Sequence, residues 1–427
     1  MSNVGIASII LLICLFSKIP VFAAVMMGSA IYFALTPSVP TQIIAQRVIS
    51  GIESIPLLAI PFFICAGVMM NYTGVTRRVM NFCDVIVGNK TGGLAQVNVL
   101  LSTLMGGLSG SNLADAAMEA KMLVPAMEQR GFSKEFSSVV TATSAMITPL
   151  IPPGIAMIIY GSIANVSIGK LFIAGIGPGI LLCISMMILV AVISKKRGYL
   201  PSRSISPTFC EIFHATKEAF LPLCLPIVII GGIRLGVFTP TEAGAVAIVY
   251  ALILGIIYRE MKFSDFIRSI KETIVSTASI LLIIGAASSF AWILTKEQVP
   301  QHVTQMIVGM ISNKYIFLLA VNIFLLFVGM FIEGNAAMIV LVPLLAPVAA
   351  AYGINEIHFA MVFIFNLAIG CLSPPMGTLM FVTCGITKCK IKDFIVEAVP
   401  FYIMLFICLM LLTFVPIFST GIVDLIY

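Results

Sequence analysis

Long apolar segments separated by short polar turns dominate this chain of 427 residues. The segments 171–193, 274–294, 316–332 and 401–418 approach the ~20 residues that a helix needs to cross the hydrocarbon core of a membrane. Other apolar segments are shorter or contain glycine and proline, so we expect about a dozen embedded segments of unequal length. The pattern predicts an all-α polytopic membrane protein.

Composition agrees with this prediction. Hydrophobic residues make up 60% of the chain, charged residues 10%, and the mean hydropathy is +1.13. This composition excludes a soluble globular protein, because too little polar surface is available to cover one.

The apolar segment 4–17 has no basic residues before it, so it is expected to be a retained helix and not a cleaved signal. The ten cysteines lie mostly in apolar segments without CxxC spacing and are expected to be small core residues.

The apolar pattern repeats once along the chain, without gaps. Landmarks in the segment 107–161 recur in the segment 329–383 at one constant offset in numbering, as in 347 − 125 = 222. The matched pairs are Gly107 and Gly329, Pro125 and Pro347, Gly131 and Gly353, Pro152 and Pro374, and Pro153 and Pro375. Two related membrane halves with matched glycine and proline interruptions are typical of secondary transporters. Two kinked helical pairs without a transport role are the alternative interpretation.

The repeat divides the chain into five expected regions. They are N-terminal scaffold helices at 1–50, a first repeat at 51–194, a basic loop with a scaffold hairpin and a surface helix at 195–272, a second repeat at 273–394, and a C-terminal membrane helix at 395–427. We expect the repeats to be inverted relative to each other, because inversion brings equivalent breaks face to face at mid-membrane.

The net charge of +6 is concentrated in short loops and therefore indicates topology. Two basic segments, 195–217 and 259–271, flank the predicted hairpin of 221–236 and 242–258, and both are expected on the cytoplasmic side. Within the second basic segment, alternating apolar and charged residues at 264–268 favour a helix along the membrane surface, with a solvated linker as the alternative.

Two glycine-rich turns in the repeat are expected to be the tips of re-entrant helical hairpins. In the first tip, 106–115, glycines end one helix, and Asn112 with Asp115 resembles a capping box that begins the next. Asn335 is the expected cap in the second tip, 329–337. Carbonyl ends of helices at such a tip favour a cation, and amide ends favour an anion.

A Pro-Pro sequence is expected to break the helix that faces each tip, at 148–154 and 370–377. Proline removes a backbone donor, and at a helix start it leaves the preceding carbonyl groups free to point into a cavity. Oxygen atoms from a tip and a break together predict a site for a hard cation such as Na⁺.

Charged residues within membrane segments are costly unless they face protein or water. Asp115, Glu119 and Lys121 lie beside the first tip, and Glu333 lies at the second. Each of these residues either has a functional role or belongs to a capped hairpin end, where polar groups of the hairpin itself stabilise its charge. Arg234 is expected to be an interfacial residue whose charge reaches the membrane surface.

Six motifs occur in an order that resembles a known family. They are SIPLLAIPFF at 54–63, GGLSGSNLAD at 106–115, IPPGIAMIIYG at 151–161, GIGPGI at 175–180, FTPTEAGAVA at 238–247 and SPPMG at 373–377. In these motifs, which extend over essentially the whole chain, the sequence resembles the large membrane subunit of tripartite ATP-independent periplasmic (TRAP) transporters.

The resemblance implies an elevator-type carrier of the ion transporter superfamily in the bacterial inner membrane, driven by a Na⁺ gradient, and not an enzyme. It also implies two protein partners, a small four-helix membrane subunit and a periplasmic binding protein that delivers an organic acid such as a C4-dicarboxylate or a sialic acid. Because the chain begins directly with the large subunit's pattern, the small subunit is expected to be a separate chain.

The resemblance further implies the site residues. The first Na⁺ site would comprise Gly107, Ser109, Ser111, Asn112, Thr148, Ile151 and Gly154. The second would comprise Gly329, Gly334, Asn335, Gly370, Ser373 and Met376. An anionic substrate would lie between the tips and contact Ser111, Asn112 and Asn335. The chain departs from the family's usual residues at Asn112, Gly154 and Glu333, so the substrate does not follow from the resemblance.

Three other functions are weighed against this one. A carrier of the same superfamily that works without a binding protein would share the hairpins. A channel would need repeated rings of pore-lining charge, which the sequence lacks. An intramembrane enzyme would need a nucleophile with its base, or clustered carboxylates, at the breaks, and no such group is present there.

Overall fold

The computed structural model describes residues 2–17, 19–203 and 205–427. These residues form twenty α-helices and two short 3-10 helices, with no β-strand among them, so the all-α prediction is confirmed. Seven helical segments of the described chain are long and apolar enough to cross a membrane, and eight apolar helices are shorter. The expected mixture of full-length and partial segments is therefore present.

The helices fall into four groups along the chain. The N-terminal group is α1 (Asn3–Phe16), α2 (Val21–Leu35) and α3 (Gln42–Ile52). The first half contains α4 (Ala59–Tyr72), α5 (Val75–Val87), α6 (Gly93–Ser109), α7 (Asn112–Gln129), α8 (Lys134–Ser144), α9 (Ile155–Ala164) and α10 (Ile168–Arg197). Two helices, α11 (Phe209–Arg234) and α12 (Pro240–Tyr258), follow. The second half contains α13 (Phe263–Lys296), α14 (Val299–Met310), α15 (Lys314–Gly329), α16 (Gly334–Ala351), α17 (Glu356–Leu372), α18 (Thr378–Thr387), α19 (Ile391–Phe414) and α20 (Ile417–Ile426).

The helix boundaries repeat at the offset found in the sequence. Helix α16 begins and ends at that same offset from α7 (334 − 112 = 222 and 351 − 129 = 222), and α17 begins at the same offset from α8 (356 − 134 = 222). The pairs α6–α7 and α15–α16 each form a hairpin, and α8 and α17 each lead into a Pro-Pro break. Both Pro-Pro peptide bonds, Pro152–Pro153 and Pro374–Pro375, are cis.

The two helices that lead into the breaks lie at the centre of the molecule. Every residue of α17 from Ile357 to Leu372 is buried, and so is every residue of α8 from Phe136 to Ser144. Helix α17 packs against α15, α16 and α10, whereas α8 packs against α7, α19 and α6. Both breaks therefore begin inside protein, where an unwound backbone is shielded from lipid.

Helices α11 and α12 form the hairpin predicted between the basic segments. The Tyr250 hydroxyl donates to the Leu221 carbonyl at 2.6 Å, and the Tyr258 hydroxyl donates to the Glu218 carbonyl at 3.3 Å, so the two helices are antiparallel. Thr239 caps α12 and forms a capping box with Glu242. Consequently the basic segments before α11 and after α12 lie at the same end of this hairpin.

The helix predicted at 264–268 is present, and its position along the membrane surface stays a prediction. These residues form the first turns of α13, a continuous helix of 34 residues that also contains the expected boundary at 272–273. The chain has no glycine or proline between Phe263 and Gly285, so nothing in the sequence ends the helix at that boundary. The alternative of a solvated linker is excluded for the same reason.

Candidate functional site

The first hairpin tip packs backbone to backbone against the first break. Gly110 has a φ of +65°, which lets the chain turn from α6 into α7, and a Cβ added there would lie 2.8 Å from the Pro153 carbonyl oxygen. A Cβ on Gly106 would lie 2.9 Å from Thr148 Cα, and one on Gly107 would lie 3.3 Å from the Pro152 oxygen. The small residues are therefore required for close contact between tip and break.

Asp115 accepts hydrogen bonds from both the first tip and the first break. The hydroxyl groups of Ser109 and Thr148 donate to the same Asp115 oxygen, Oδ2, at 2.6 and 2.7 Å. The Asp115 side chain is 1% exposed, and its other oxygen, Oδ1, has no hydrogen-bond partner among the described residues. Two residues expected in the first Na⁺ site thus meet at Asp115, which the sequence left open as either a functional residue or part of the capped hairpin end.

The helix caps at both tips differ from the predicted ones. At the first tip the cap is Ser111, whose Oγ accepts from the Ala114 amide at 3.5 Å, whereas Asn112 is the first residue of the helix. At the second tip the cap is Glu333, whose Oε2 accepts from the Ala336 amide at 3.0 Å, and Asn335 lies in the first turn. Asp115 is excluded from the capping box because its carboxylate points inward.

The donor set at the first tip fits a hard cation. It combines a buried carboxylate that has a free oxygen with two hydroxyl groups and the carbonyl groups of the adjoining break, and all of these are oxygen ligands. Gly154 caps α9, and its backbone lies against the Pro149 carbonyl. The Ile151 side chain lies against Gly179, and its Cβ would be 3.3 Å from a Cβ added to Gly106.

Glycines allow the second tip to lie close to the second break. A Cβ added to Gly329 would lie 2.9 Å from Gly370 Cα, and one added to Gly334 would lie 3.4 Å from Cys371 Sγ. Ser373 ends α17, and its hydroxyl donates to the Ile369 carbonyl at 2.9 Å, so this side chain is engaged within its own helix. Met376 is half-buried in the turn before α18. Among the described residues, no carboxylate takes the place here that Asp115 takes at the first tip.

A cavity of about 160 Å³ lies between the two tips. Ser111, Asn112 and Asn335, the three expected substrate contacts, all line it. Asn71 on α4 and Ser276 on α13 line it as well. The sequence analysis missed these two, because each is a single polar residue in an apolar segment without a local motif.

The cavity combines helix ends and neutral polar groups with one carboxylate. Its described lining contains no lysine or arginine, and Glu333 is its one carboxylate. The amino-terminal ends of α7 and α16 both meet the cavity, so their unpaired amides and dipoles favour an anion there. Arg234 lies elsewhere, exposed at the end of α11, where it donates to the Ile426 carbonyl at 3.2 Å.

Comparison with protein families gives a match over nearly the whole chain. The matching family model is described as "Tripartite ATP-independent periplasmic transporter, DctM component", and it covers residues 8–418.

Three named relatives are similar over most of their length. The sialic acid TRAP transporter large permease protein SiaM of Vibrio cholerae is 40% identical, over 95% of each chain. The 2,3-diketo-L-gulonate TRAP transporter large permease protein YiaN of Escherichia coli is 35% identical, over 96% of this chain and 97% of its own. The C4-dicarboxylate TRAP transporter large permease protein DctM of Pseudomonas aeruginosa is 35% identical, over 88% of each chain.

A solved transporter structure shares the fold. The YdaH transporter of Alcanivorax borkumensis, described as having an unusual topology, superposes with a TM-score of 0.54 at 14% sequence identity, over 84% of each chain. At this identity the likeness concerns the fold alone.

Proposed function

Because the chain belongs to the large permease family of TRAP transporters, we propose that it carries out Na⁺-coupled uptake of an organic acid anion across the bacterial inner membrane. It is a multi-pass transport protein and not an enzyme, since the named relatives are permeases. The resemblance seen in the sequence is thereby confirmed at the level of the family.

The observation that carries the Na⁺ assignment is the buried carboxylate at the first tip. Asp115 has one oxygen bound to two hydroxyl groups and one without a partner, at a depth where an uncompensated charge is costly. Na⁺ bound at this oxygen would balance the charge and hold tip and break together. At the second tip, backbone carbonyl groups near Gly329 and Gly370 would supply the ligands for a second ion.

Coupling to substrate follows from the position of the cavity. Ser111 and Asn112 belong to the first tip and Asn335 to the second, and all three line one space. A tip that is ordered by Na⁺ would present the amide end of its helix to the anion, so ion binding would raise the affinity for substrate. Without Na⁺, the two tips would not be fixed relative to each other.

The proposed substrate belongs to the chemical class that is common to the substrates named for the relatives. Sialic acid, 2,3-diketo-L-gulonate and C4-dicarboxylates are all organic acid anions. We take a sialic acid as the first candidate, because SiaM is 40% identical, and C4-dicarboxylates as the second. Helix ends and amide groups would hold the carboxylate in place of an arginine.

The proposed assembly contains a small four-helix membrane subunit and a periplasmic binding protein that delivers the substrate. Transport would follow an elevator mechanism, in which the two hairpins and breaks move together against a scaffold that includes α11 and α12. A carrier that works without a binding protein is the alternative.

Uptake into proteoliposomes tests these proposals together. The complex should accumulate a radiolabelled sialic acid only with an inward Na⁺ gradient and with the binding protein present, and a panel including C4-dicarboxylates should define the specificity. A proton gradient without Na⁺ should give no accumulation. Equal uptake in Na⁺-free buffer would remove the Na⁺ assignment, and full uptake without the binding protein would favour the alternative carrier.

A further inference from the structure

A second buried carboxylate lies one helical turn beyond the first tip. Glu119 follows Asp115 by four residues on the same face of α7, and its side chain is fully buried. The Ser102 hydroxyl donates to Glu119 Oε2 at 2.7 Å, whereas Oε1 has no partner among the described residues. The proposed tip site does not use this group.

Ser102, which contacts Glu119, belongs to a cluster of neutral polar side chains on α6 and α8. Ser102 Oγ lies 2.8 Å from Ser144 Oγ, and the Ser144 hydroxyl lies 3.2 Å from Asn98 Oδ1. The amide of Asn98 donates to Thr141 Oγ1 at 2.6 Å, which fixes its oxygen toward the serines. All of these side chains are fully buried, so the cluster is sealed from solvent.

The carboxylate of Glu119 has no counterion among the residues that the structure describes. No ion pair formed by the described residues includes Glu119, and the lining of the cluster is uncharged. The neighbouring carboxylate, Asp115, repels it. A buried carboxylate with a free oxygen and no basic partner calls for a cation, because desolvation of an unpaired charge costs several kcal/mol.

We propose that Glu119, Ser102, Ser144 and Asn98 form an additional Na⁺ site, separate from the two tip sites. The ligand set is a carboxylate, two hydroxyl groups and an amide oxygen, which suits a hard monovalent cation. The identity of the ion rests on the proposed Na⁺ coupling. Because the equivalent positions in the second repeat are Leu341, Phe324, Asn366 and Ala320, the second half has no equivalent site.

Counting bound ions on the purified full-length chain tests this proposal. Equilibrium binding of ²²Na⁺ should give three ions per chain for the wild type and two for Glu119→Gln. Glu128→Gln is the matched control, because Glu128 lies near the other end of α7 in an exposed ion pair with Lys134 at 3.5 Å. That variant should retain three ions.

The ion counts of the wild type and Glu119→Gln test the additional site separately from the tip sites. If the wild type and Glu119→Gln bind the same number of ions, the additional site does not exist, whether or not the tips bind Na⁺. If the wild type binds one ion and Glu119→Gln none, the additional site stands and the tip sites fail. Retention of the Na⁺ count in Glu119→Gln together with loss of a pH-dependent proton uptake would assign a proton to Glu119 and overturn the proposal.

A milder variant keeps the test valid if Glu119→Gln is unstable. Ser102→Ala removes one neutral ligand and should weaken binding of a single ion by roughly 10-fold while the others keep their affinity. Size-exclusion chromatography shows whether each variant is folded. Unchanged affinity of all ions in a folded Ser102→Ala protein would count against the assignment of this cluster.

Discussion

The two halves of the molecule share helix boundaries but differ in the chemistry of their tips. Helices α7 and α16 correspond position for position, and Ser111 and Glu333, the two caps, occupy equivalent positions (333 − 111 = 222). Yet Asp115 and Glu119 correspond to Ala337 and Leu341. The architecture is duplicated, whereas Asp115 and Glu119, the buried carboxylates of the described chain, both lie in the first half. Glu333 of the second half is half-buried and lines the cavity.

The buried polar side chains near Asn366 in the second half are neutral. Asn366, which corresponds to Ser144, donates to Asn322 Oδ1 at 2.9 Å, and Asn322 donates to Thr413 Oγ1 at 2.9 Å. This amide chain is uncharged and therefore needs no counterion, although Asn366 Oδ1 has no hydrogen-bond partner among the described residues. Ion binding in the first half would therefore depend on a side chain, whereas ion binding in the second half would depend on the backbone geometry of the tip and the break.

The largest expected effect comes from removing the tip carboxylate. In Asp115→Asn the apparent Na⁺ affinity for uptake should fall by about 100-fold, since loss of one partner from a buried charged interaction costs about 3 kcal/mol or more. Na⁺ titration of uptake in proteoliposomes measures this. Ala337→Ser, at the equivalent position of the second half, is the control and should change the affinity by less than about 3-fold. Wild-type Na⁺ dependence in Asp115→Asn would remove the carboxylate from the site.

The Pro-Pro breaks offer the next comparison. Replacing Pro375 by alanine restores a backbone donor and favours continuation of the helix, which turns carbonyl groups away from the ion. Apparent Na⁺ affinity should fall by roughly 10-fold in Pro375→Ala, as expected for a lost charge-assisted contact. The fall should be smaller, about 3-fold, in Pro153→Ala, because Asp115 still anchors the first ion. If both variants fold and keep wild-type Na⁺ dependence, the breaks have only a structural role.

The hairpins and breaks could be predicted from the sequence because they depend on local residue patterns. Glycine at the tips and Pro-Pro at the breaks act on the backbone within a few residues, so the positions of both hairpins and both breaks could be read from the chain. Helix α13 shows the limit of such short signals, since the alternation at 264–268 indicated a helix there but not that it continues without a break to Lys296.

The centre of the site could not be predicted in the same way. Asp115 is drawn inward by Thr148, a residue 33 positions away that only the folded chain brings within 2.7 Å. Ser111 and Asn112 are both good cap formers, so the choice between them depends on that distant contact. The cavity residues Asn71 and Ser276 come from two further helices, and their convergence is likewise a property of the tertiary fold.

A glycine comparison sharpens the role of close contact at the first tip. Gly110 and Gly131 both have positive φ, +65° and +84°, but a Cβ meets the Pro153 oxygen at Gly110 and nothing within 4 Å at Gly131. Both alanine variants should carry the backbone penalty of about 1 kcal/mol. Only Gly110→Ala should also lose uptake, by several-fold, because the tip is pushed off the break. Equal uptake in the two variants, measured alongside thermal unfolding, would show that tip and break need no close contact.

The smallest expected effect concerns motion of the first tip relative to the scaffold. In a protein whose ten native cysteines have been replaced, Ser111→Cys reports on the tip and Thr216→Cys, on an exposed part of α11, reports on the scaffold. Because the elevator mechanism carries the tip across the membrane while α11 stays in place, Na⁺ should change the labelling rate of Ser111→Cys by a membrane-impermeant thiol reagent about 2- to 5-fold, the size of a modest population shift. The labelling rate of Thr216→Cys should not change. A Na⁺-dependent change of equal size at both positions would indicate a rearrangement of the whole chain, and no change at either would favour a stationary site with local gating.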